Sequence, residues 1–383
     1  MHKFLHKINY PLVTALVCLC IYYLFFILLL EKKDRDITTF IHAGSVFVNE
    51  TQLPHKIAVL PNSHGYDGQF YYSLSLNPFT NSRINDGIML DNPHYRQQRI
   101  MYPFIAWLFS FNRIIIPYIL VGLNLFFITI IWFYGGIIAQ KFHKHALWGI
   151  IFVVWPGFLF TFSRNLTEIV AIAFLLAGIT HLFYKQYIVS GLLLACAVLS
   201  KETTLIVPIS ICIANIFQIK KSYNKLVWYT ALFPLAVYQT WHIWLSQKWT
   251  DAWTIEIHNN VGIPFIGLLD FINKIPTLPK MLQISSVIEI ICIAFFVFFA
   301  YISIQKNNIS LFLKISLLFY SALVLSLTKT VWVEDIAFMR ASTELFIIGI
   351  LLIIQVNWHV YKYIFPIGII VWLYMVIDIL KLR

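Results

Sequence analysis

The sequence predicts an all-α membrane protein that crosses the bilayer many times, and three observations support this. Of 383 residues, 60% are hydrophobic and only 12% are charged, and the mean hydropathy is +0.77. A soluble domain carries about 25% charged residues, so a bilayer must replace water around much of this chain. The apolar runs are also long and unbroken, as in 114–139, and lack the alternation of barrel strands. Because only helices and closed barrels satisfy the backbone inside lipid, the sequence favours helices.

Hydropathy windows of about twenty residues predict about eleven spans, within a range of about ten to twelve. The spans are predicted at 11–30, 113–139, 145–163, 166–184, 187–200, 203–219, 226–246, 284–305, 310–328, 337–356 and 360–380. The first run is followed by Glu31-Lys32-Lys33-Asp34 rather than by a small-residue cleavage site, which predicts a retained span. Residues 98–112 are a candidate for a further embedded or interfacial helix.

We predict one domain over residues 1–383, because no repeat and no low-complexity linker divides the chain. Two connections are long. Residues 31–112 form the first and are rich in Asp, Asn, Pro and His, and residues 247–283 form the second. Long polar loops are typically functional, so we expect the chemistry of this chain in 31–112.

Lysines in the short loops predict the orientation of the chain. Those near positions 141, 185, 220–225, 306 and 362 fall on one side, which the positive-inside rule makes cytoplasmic. Span parity then puts another set of charged residues on the opposite side, with 31–112: Arg164, Glu168, Lys201, Glu202, Asp335, Arg340 and Glu344. The net charge of +11 suits anionic lipid, and the scatter of Lys and Arg among the turns argues against a nucleic-acid partner.

Charges near the membrane are costly, and they usually pair, line a cavity or take part in function. Arg164 and Glu168 are four residues apart, as are Arg340 and Glu344, which predicts that each pair shares one helix face. The alternative to a site is that these residues form internal ion pairs and snorkelling anchors. Three separate turns place cations on the same side of the membrane as the carboxylate-bearing segment 31–112. We therefore favour a functional site.

The segment His64–Tyr72 is the densest in candidate chemistry. Gly65 and Gly68 flank Asp67, and glycines permit a tight turn and a close backbone approach. The neighbouring Tyr and Phe residues suit stacking on a sugar or a place at the membrane interface. The alternative is an Asx-type turn in a surface loop.

The segment Asp91–Pro103 follows and carries two arginines. Arg96 and Arg99 are three residues apart and would face one way in a helix. The alternative for both is contact with lipid headgroups.

The motifs Tyr66–Tyr72 and Tyr95–Pro103 resemble those of a family of bacterial multi-spanning proteins linked to cell-surface glycopolymer formation. Segments 163–168 and 200–203 are similar to later signatures of that family, as is Arg340, and the order agrees over most of the chain. The Asp-Gly followed by aromatic residues also resembles the first-loop motif of the GPI mannosyltransferases of the GT-C superfamily. Two residues depart from the family pattern: Lys201 stands where Arg is expected, and Asn165 where Asp is expected.

The resemblance implies a GT-C-like helical bundle whose long first non-cytoplasmic loop carries interfacial helices. It also implies a glycosyltransferase in the bacterial inner membrane, active on the extracytoplasmic face, with a polyprenyl-phosphate sugar donor and a glycan or glycolipid acceptor. In an inverting transfer, Asp67 would take the acceptor proton, and cations would stabilise the leaving phosphate. The phosphate-binding candidates are Arg96, Arg99, Arg164, Lys201 and Arg340. The other substrate-binding candidates are His64, Tyr66, Gln69, Tyr71, Tyr95, Glu168 and Glu202.

Several alternatives stay open at this point. Asp34 and Asp36 are the alternative catalytic carboxylates. A divalent metal is an open question, because some GT-C relatives use one, and Asp34, Asp36, Asp91 or Glu168 could supply oxygen ligands. From another class, a carrier or flippase for lipid-linked glycans predicts broken spans and charges near the membrane centre. A glycan polymerase or ligase would differ mainly in its acceptor.

Overall fold

The computed structural model describes residues 10–218, 225–249, 260–306, 309–333, 337–356 and 361–382, and it is mostly helical. The α-helices are α1 Pro11–Lys32, α2 Gly68–Leu76, α3 Pro93–Gln98, α4 Met101–Phe109, α5 Ile116–Lys141, α6 Pro156–Ser163, α7 Glu168–Phe183, α8 Tyr187–Ser200, α9 Ile206–Gln218, α10 Lys225–Lys248, α11 Ile266–Lys274, α12 Lys280–Ser303, α13 Leu311–Leu325, α14 Lys329–Val333, α15 Ala337–Ala341, α16 Thr343–Gln355 and α17 Tyr361–Leu382. Short 3-10 helices lie at Ile37–Ile41, Glu50–Gln52, Arg113–Ile115, Ala146–Phe152, Glu202–Leu205 and Ile275–Thr277. The predicted helical class is confirmed.

Among the described residues, three helices are long and apolar enough to cross a membrane. They are Pro11–Lys32, Arg113–Lys141 and Leu282–Ser303. The 3-10 helix Ala146–Phe152 and α6 make a fourth if they are one span, bent by 68°. Pro156, the first residue of α6, explains the bend. Its ring nitrogen carries no hydrogen and cannot donate the main-chain hydrogen bond that would make α6 continuous with the preceding 3-10 helix.

A membrane location for several of these helices agrees with the sequence prediction. The number of spans is a separate matter, because five further apolar helices have only 10–17 residues. A straight helix needs about twenty residues to cross the hydrocarbon core. The figure of eleven spans therefore stays a prediction.

The N-terminal helices pack around α5. This helix contacts α1, α7 and the 3-10 helix at Ala146–Phe152, while α8 packs between α7 and α10. Buried polar groups join the helices as well, since the Tyr22 hydroxyl donates to the carbonyl oxygen of Val153 at 2.8 Å. The result is one continuous core through this part of the bundle.

The C-terminal helices join that core through α9, which packs against both α10 and α13. Helix α16 contacts α12 and α13, and nearly all of its side chains are buried. A helix that is apolar on every side is typical of the centre of a bundle. Its first turn therefore lies inside the protein, which matters for Glu344.

The 31–112 segment is a compact layer rather than an open loop. Strand β1 (Ala43–Gly44) pairs in parallel with β2 (Val59–Leu60), and β3 (Ile84–Asn85) pairs antiparallel with β4 (Ile88–Met89). The candidate interfacial helix at 98–112 is α4, whose last three residues are exposed apolar side chains. Such a helix end suits the membrane interface.

This layer rests on one end of the bundle. The indole nitrogens of Trp241 and Trp249 donate to the main-chain and side-chain oxygens of Gln97 at 3.0 and 2.7 Å. We call this end, which carries residues 31–112, the loop end. We call the opposite end the lysine end; there α5 ends at Lys141, whose ammonium lies 4.5 Å from the ring of Tyr184.

Candidate functional site

Two glycines shape the turn that carries Asp67. Gly65 has φ +65°, a left-handed conformation that glycine adopts without strain. Gly68 begins α2, and a Cβ atom there would lie 2.2 Å from the carbonyl oxygen of Arg164. The start of α2 therefore touches the turn between α6 and α7 directly, and only glycine permits this approach.

Asp67 precedes α2 but does not cap it. Its Oδ1 lies 2.9 Å from Nη1 of Arg96, and its Oδ2 lies 2.9 Å from Nη1 of Arg340. Arg340 is 273 residues further along the chain. One largely buried carboxylate thus joins α3 and α15 to the turn before α2.

Each of these two arginines contacts a second carboxylate. Arg96 donates to both oxygens of Asp91 at 2.8 and 2.6 Å, and its guanidinium lies 4.3 Å from the ring of Phe70. Arg340 contacts Glu168 at 3.2 Å between Nε and Oε1. Bidentate pairing with planar carboxylates is what guanidinium geometry favours.

These pairs set the ionisation of Asp67. Burial alone would raise its pKa, but the charges of Arg96, Arg340 and Arg99 outweigh burial and hold the pKa well below its usual range. The same reasoning applies to Glu202, where Arg99 overcomes burial and lowers the pKa to about 2. Both groups are carboxylates throughout the physiological pH range.

Arg99 forms a second group beside the first. Its Nε donates to Glu202 at 2.8 Å, and Nη2 donates to the hydroxyl of Tyr95 at 2.7 Å. Its Nη1 donates to the hydroxyl of Tyr71 at 3.4 Å. The ring of Tyr95 also lies 5.1 Å from the guanidinium of Arg96, so the two groups are continuous.

Lys201 links the turn between α8 and α9 to the first turn of α16. Its Nζ lies 2.9 Å from Oε1 of Glu344, which also accepts a hydrogen bond from Thr203 at 2.7 Å. The same ammonium donates to the main-chain oxygen of Arg340 at 3.3 Å. Both side chains are almost fully buried, at 6% and 1% exposure.

Arg164 lies over aromatic rings at the turn that Gly68 touches. Its guanidinium is 3.9 Å from the ring of Phe160 and 4.5 Å from the ring of Tyr66. The next residue, Asn165, has φ +49° and is fully buried. Within the described part of the chain, neither atom of its amide group has a hydrogen-bond partner.

Five cations and five carboxylates meet in this region, which we call the ionic cluster. Its members are Arg96, Arg99, Arg164, Lys201, Arg340, Asp67, Asp91, Glu168, Glu202 and Glu344. The formal charges of these ten described residues balance. An anion that binds Arg96, Arg99 or Arg340 would compete with the carboxylates that these guanidinium groups contact.

Most of the predicted site residues belong to the ionic cluster or touch it. His64 and Gln69 do not take part in its ion pairs. His64 is exposed, with its ring 6.0 Å from that of Phe47. Gln69 bonds the main chain at Gly44 and His64, at 3.0 and 2.7 Å, and so holds the turn together.

The predicted pairing of residues four apart is wrong. Arg164 and Glu168 do not share a helix, because α6 ends at Ser163 and α7 begins at Glu168. Arg340 and Glu344 are likewise divided between α15 and α16. In both cases the break frees the charges to pair with distant residues, Glu168 with Arg340 and Glu344 with Lys201.

Asp91 and Glu344 are cluster members that the sequence analysis does not name as catalytic or substrate-binding residues. It names Asp91 only as a candidate metal ligand and Glu344 only among the charges on the side of 31–112. The signal for Glu344 is a carboxylate in an apolar helix, which requires a buried cation partner. The alternative carboxylates Asp34 and Asp36 are exposed, and Asp36 caps the 3-10 helix at Ile37–Ile41. Asp335 lies outside the described residues.

A metal site can be assessed only among the described residues. Among them, no three His, Cys, Asp or Glu side chains are grouped so as to hold a metal ion. Two of the candidate ligands, Asp91 and Glu168, instead contact arginines. A metal would have to replace these guanidinium contacts.

Comparison with known proteins does not add a family to this geometry. No protein-family model, no curated protein and no solved structure matches the chain.

Proposed function

We propose that this chain is an inverting membrane glycosyltransferase of the GT-C type. It would move a sugar from a polyprenyl-phosphate donor to a glycan or glycolipid acceptor at the extracytoplasmic face of the bacterial inner membrane. The observation that carries the proposal is the position of Asp67 between Arg96 and Arg340. A carboxylate beside guanidinium groups is what sugar transfer from a phosphate leaving group requires.

In the proposed reaction, the acceptor hydroxyl oxygen bonds to the anomeric carbon of the donor sugar. The bond between that carbon and the phosphate oxygen breaks, and its electron pair leaves with the lipid phosphate. The hydroxyl proton passes to Asp67. Because the phosphate leaves as an anion, the reaction needs cations rather than a general acid, and the guanidinium groups bind its oxygens.

The resting pairing of Asp67 makes it a weak base. Although burial alone would raise its pKa, the neighbouring arginines hold the pKa low. An incoming phosphate competes for Arg96 and Arg340, since guanidinium groups bind phosphate as well as carboxylate. The exchange would raise the proton affinity of Asp67 only when the donor is bound, so donor binding activates the base.

The eleven-span topology belongs to this proposal. It puts the loop end outside and the lysine end in the cytoplasm, in keeping with the positive-inside rule. The ionic cluster would then lie at the extracytoplasmic surface of the inner membrane, where the phosphate group of a lipid donor lies. The tail of the donor would remain in the bilayer while its sugar reaches Asp67.

The direct test uses the purified full chain in lipid nanodiscs, with polyprenyl-phosphate glucose, galactose and mannose as donors and methyl glycosides as acceptors. The expected result is release of polyprenyl phosphate from at least one of them, detected by thin-layer chromatography. Release should depend on Asp67. If no donor releases phosphate, and a lipid extract from bacterial membranes also fails as a donor source, the proposal is wrong.

One observation favours a carrier for lipid-linked glycans as a second candidate. The bent pair of Ala146–Phe152 and α6 is a discontinuous helix, a feature of many transporters. A carrier would move a fluorescent polyprenyl-phosphate sugar across a vesicle membrane without breaking the sugar–phosphate bond. Product analysis in the same vesicles separates the two candidates.

A further inference from the structure

An open cavity of about 380 Å³ lies on α10 at the loop end, outside the ionic cluster. Its volume falls within the range of small-molecule sites. The lining residues are Tyr238, Gln239, His242, Ile243, Ser246 and Gln247. They recur at helical spacing, so they form one stripe along the last turns of α10.

This stripe is continuous with the ionic cluster. The hydroxyl of Ser246 lies 3.3 Å from the ring nitrogen of His94, and His94 lies two residues before Arg96. The rings of His94 and His242 are 4.7 Å apart. Helix α3 thus contacts the cavity lining through His94 and Asp67 through Arg96.

The chemistry of the cavity differs from that of the cluster. Among the described residues, its lining has amide, hydroxyl, imidazole and phenol groups and the side chain of Ile243, but no Lys, Arg, Asp or Glu. An anion would meet no cation among these residues, whereas a saccharide presents hydroxyl groups that both donate and accept hydrogen bonds. Glutamine amides match this, because each offers donors and an acceptor.

Two glutamines have their hydrogen-bonding capacity uncommitted. Gln239 and Gln247 are exposed, and neither amide has a partner within the part of the chain that the structure describes. The ring of Tyr238 lies 5.8 Å from that of His242 and provides a flat surface beside them. Amides next to an aromatic face suit the polar edge and the apolar face of a sugar ring.

We propose that this cavity binds the saccharide part of the acceptor, an uncharged sugar with free hydroxyl groups. The inference rests on the proposed function, in which the cluster binds the donor phosphate and α10 binds the acceptor. The charged cluster suits the anionic phosphate of the donor, and the uncharged stripe on α10 suits the hydroxyl groups of the acceptor. Specificity for the acceptor would therefore be determined by α10.

The test compares Gln239→Ala/Gln247→Ala with Thr240→Ala, an exposed position on the same helix that does not line the cavity. Transfer is measured in nanodiscs with methyl glycosides of glucose, galactose, mannose and N-acetylglucosamine as acceptors. The double variant should raise the acceptor KM about tenfold, the loss of two hydrogen bonds, while the donor KM stays unchanged. Thr240→Ala should behave as the wild type. An unchanged acceptor KM, or an equal rise in both KM values, overturns the proposal.

A second measurement works without turnover. Saturation-transfer-difference NMR with the same glycosides should detect binding to the wild type and to Asp67→Asn, and a loss of signal in the double glutamine variant. If no glycoside binds, or if glycerol phosphate competes with the glycosides, the cavity is not a saccharide site. Because this readout needs no reaction, glycoside binding without transfer would count against the enzyme and not against the cavity.

Discussion

The two ends of the bundle are both rich in cations, but they hold them differently. At the loop end, Arg96, Lys201 and Arg340 are largely buried, and each contacts at least one carboxylate. At the lysine end, Lys185 and Lys225 are exposed. Exposed lysines at helix ends are sufficient to anchor a protein beside anionic lipid. Buried ion pairs cost desolvation energy that anchoring does not require, which points to a function at the loop end.

The largest expected effect concerns Asp67 itself. If the proposed reaction is right, Asp67→Asn lowers transfer about 10²- to 10⁴-fold, because the acceptor proton then has no base to accept it. The matched control is Asp86→Asn, in the same 31–112 segment, where the carboxylate contacts Arg113 at 2.7 Å. Initial rates of polyprenyl phosphate release measure both. Equal losses of this rate in the two variants would show that Asp67 is not the base.

A stability comparison sharpens the contrast between the two ends. Lys201→Gln should destabilise the protein by about 3 kcal/mol, because it leaves Glu344 buried without its cation. Lys185→Gln, at an exposed position, should change stability by less than about 0.5 kcal/mol. Thermal unfolding in detergent, followed by intrinsic fluorescence, reports both. Similar shifts in the midpoint would mean that the ends do not differ as described.

A third prediction concerns the close backbone approach at the loop end. Gly68→Ala should destabilise the protein by about 2 kcal/mol and slow transfer, since the new Cβ would collide with the carbonyl oxygen of Arg164. Gly122→Ala is the control, because within the described part of the chain no heavy atom beyond its own stretch of α5 lies within 4 Å of its Cβ position. That variant should be neutral or slightly stabilising. A harmless Gly68→Ala would contradict the contact between these two turns.

The smallest effect is expected from pH. Asp67 and Glu202 have lowered pKa values in the folded protein, Glu202 to about 2, where Arg99 overcomes the effect of burial. Their stabilising contribution is therefore fully present above pH about 4.5 and is lost as pH falls below it. The unfolding midpoint should be insensitive to these carboxylates between pH about 5 and 8. A carboxylate-dependent transition near pH 6, absent in Asp67→Asn, would contradict the pairing.

The sequence was sufficient to predict the helical class and the end of the bundle at which the charges gather, but the predicted spans 145–163 and 337–356 are interrupted helices. Hydropathy predicts the helices, and the number of spans before each loop predicts the side on which its charges lie. Both predictions work because lipid penalises polar groups strongly. The parity of the spans alone places Asp67, Lys201 and Arg340 on one side of the membrane. It does not predict which of the charged residues form ion pairs.

The partners depend on where helices break, which residue spacing does not reveal. Arg164 and Glu168 look like one helical pair, but a left-handed Asn165 separates α6 from α7. The small strands of 31–112 are also absent from the prediction, because two-residue strands have too little periodicity to detect. The cavity on α10 is also absent from the prediction. It lies at the end of the helix that contacts α3, and no local pattern encodes such a long-range contact.

The central claim is that Asp67 and Arg340, 273 residues apart, form an ion pair that assembles the ionic cluster. A double-mutant cycle with Asp67→Asn, Arg340→Gln and the combined variant tests it most directly, with the free energy of unfolding as the readout. We predict that the combined variant is no less stable than the worse single variant, with a coupling energy of at least about 1 kcal/mol. Additive effects, within about 0.5 kcal/mol, would contradict the pairing and the site built on it.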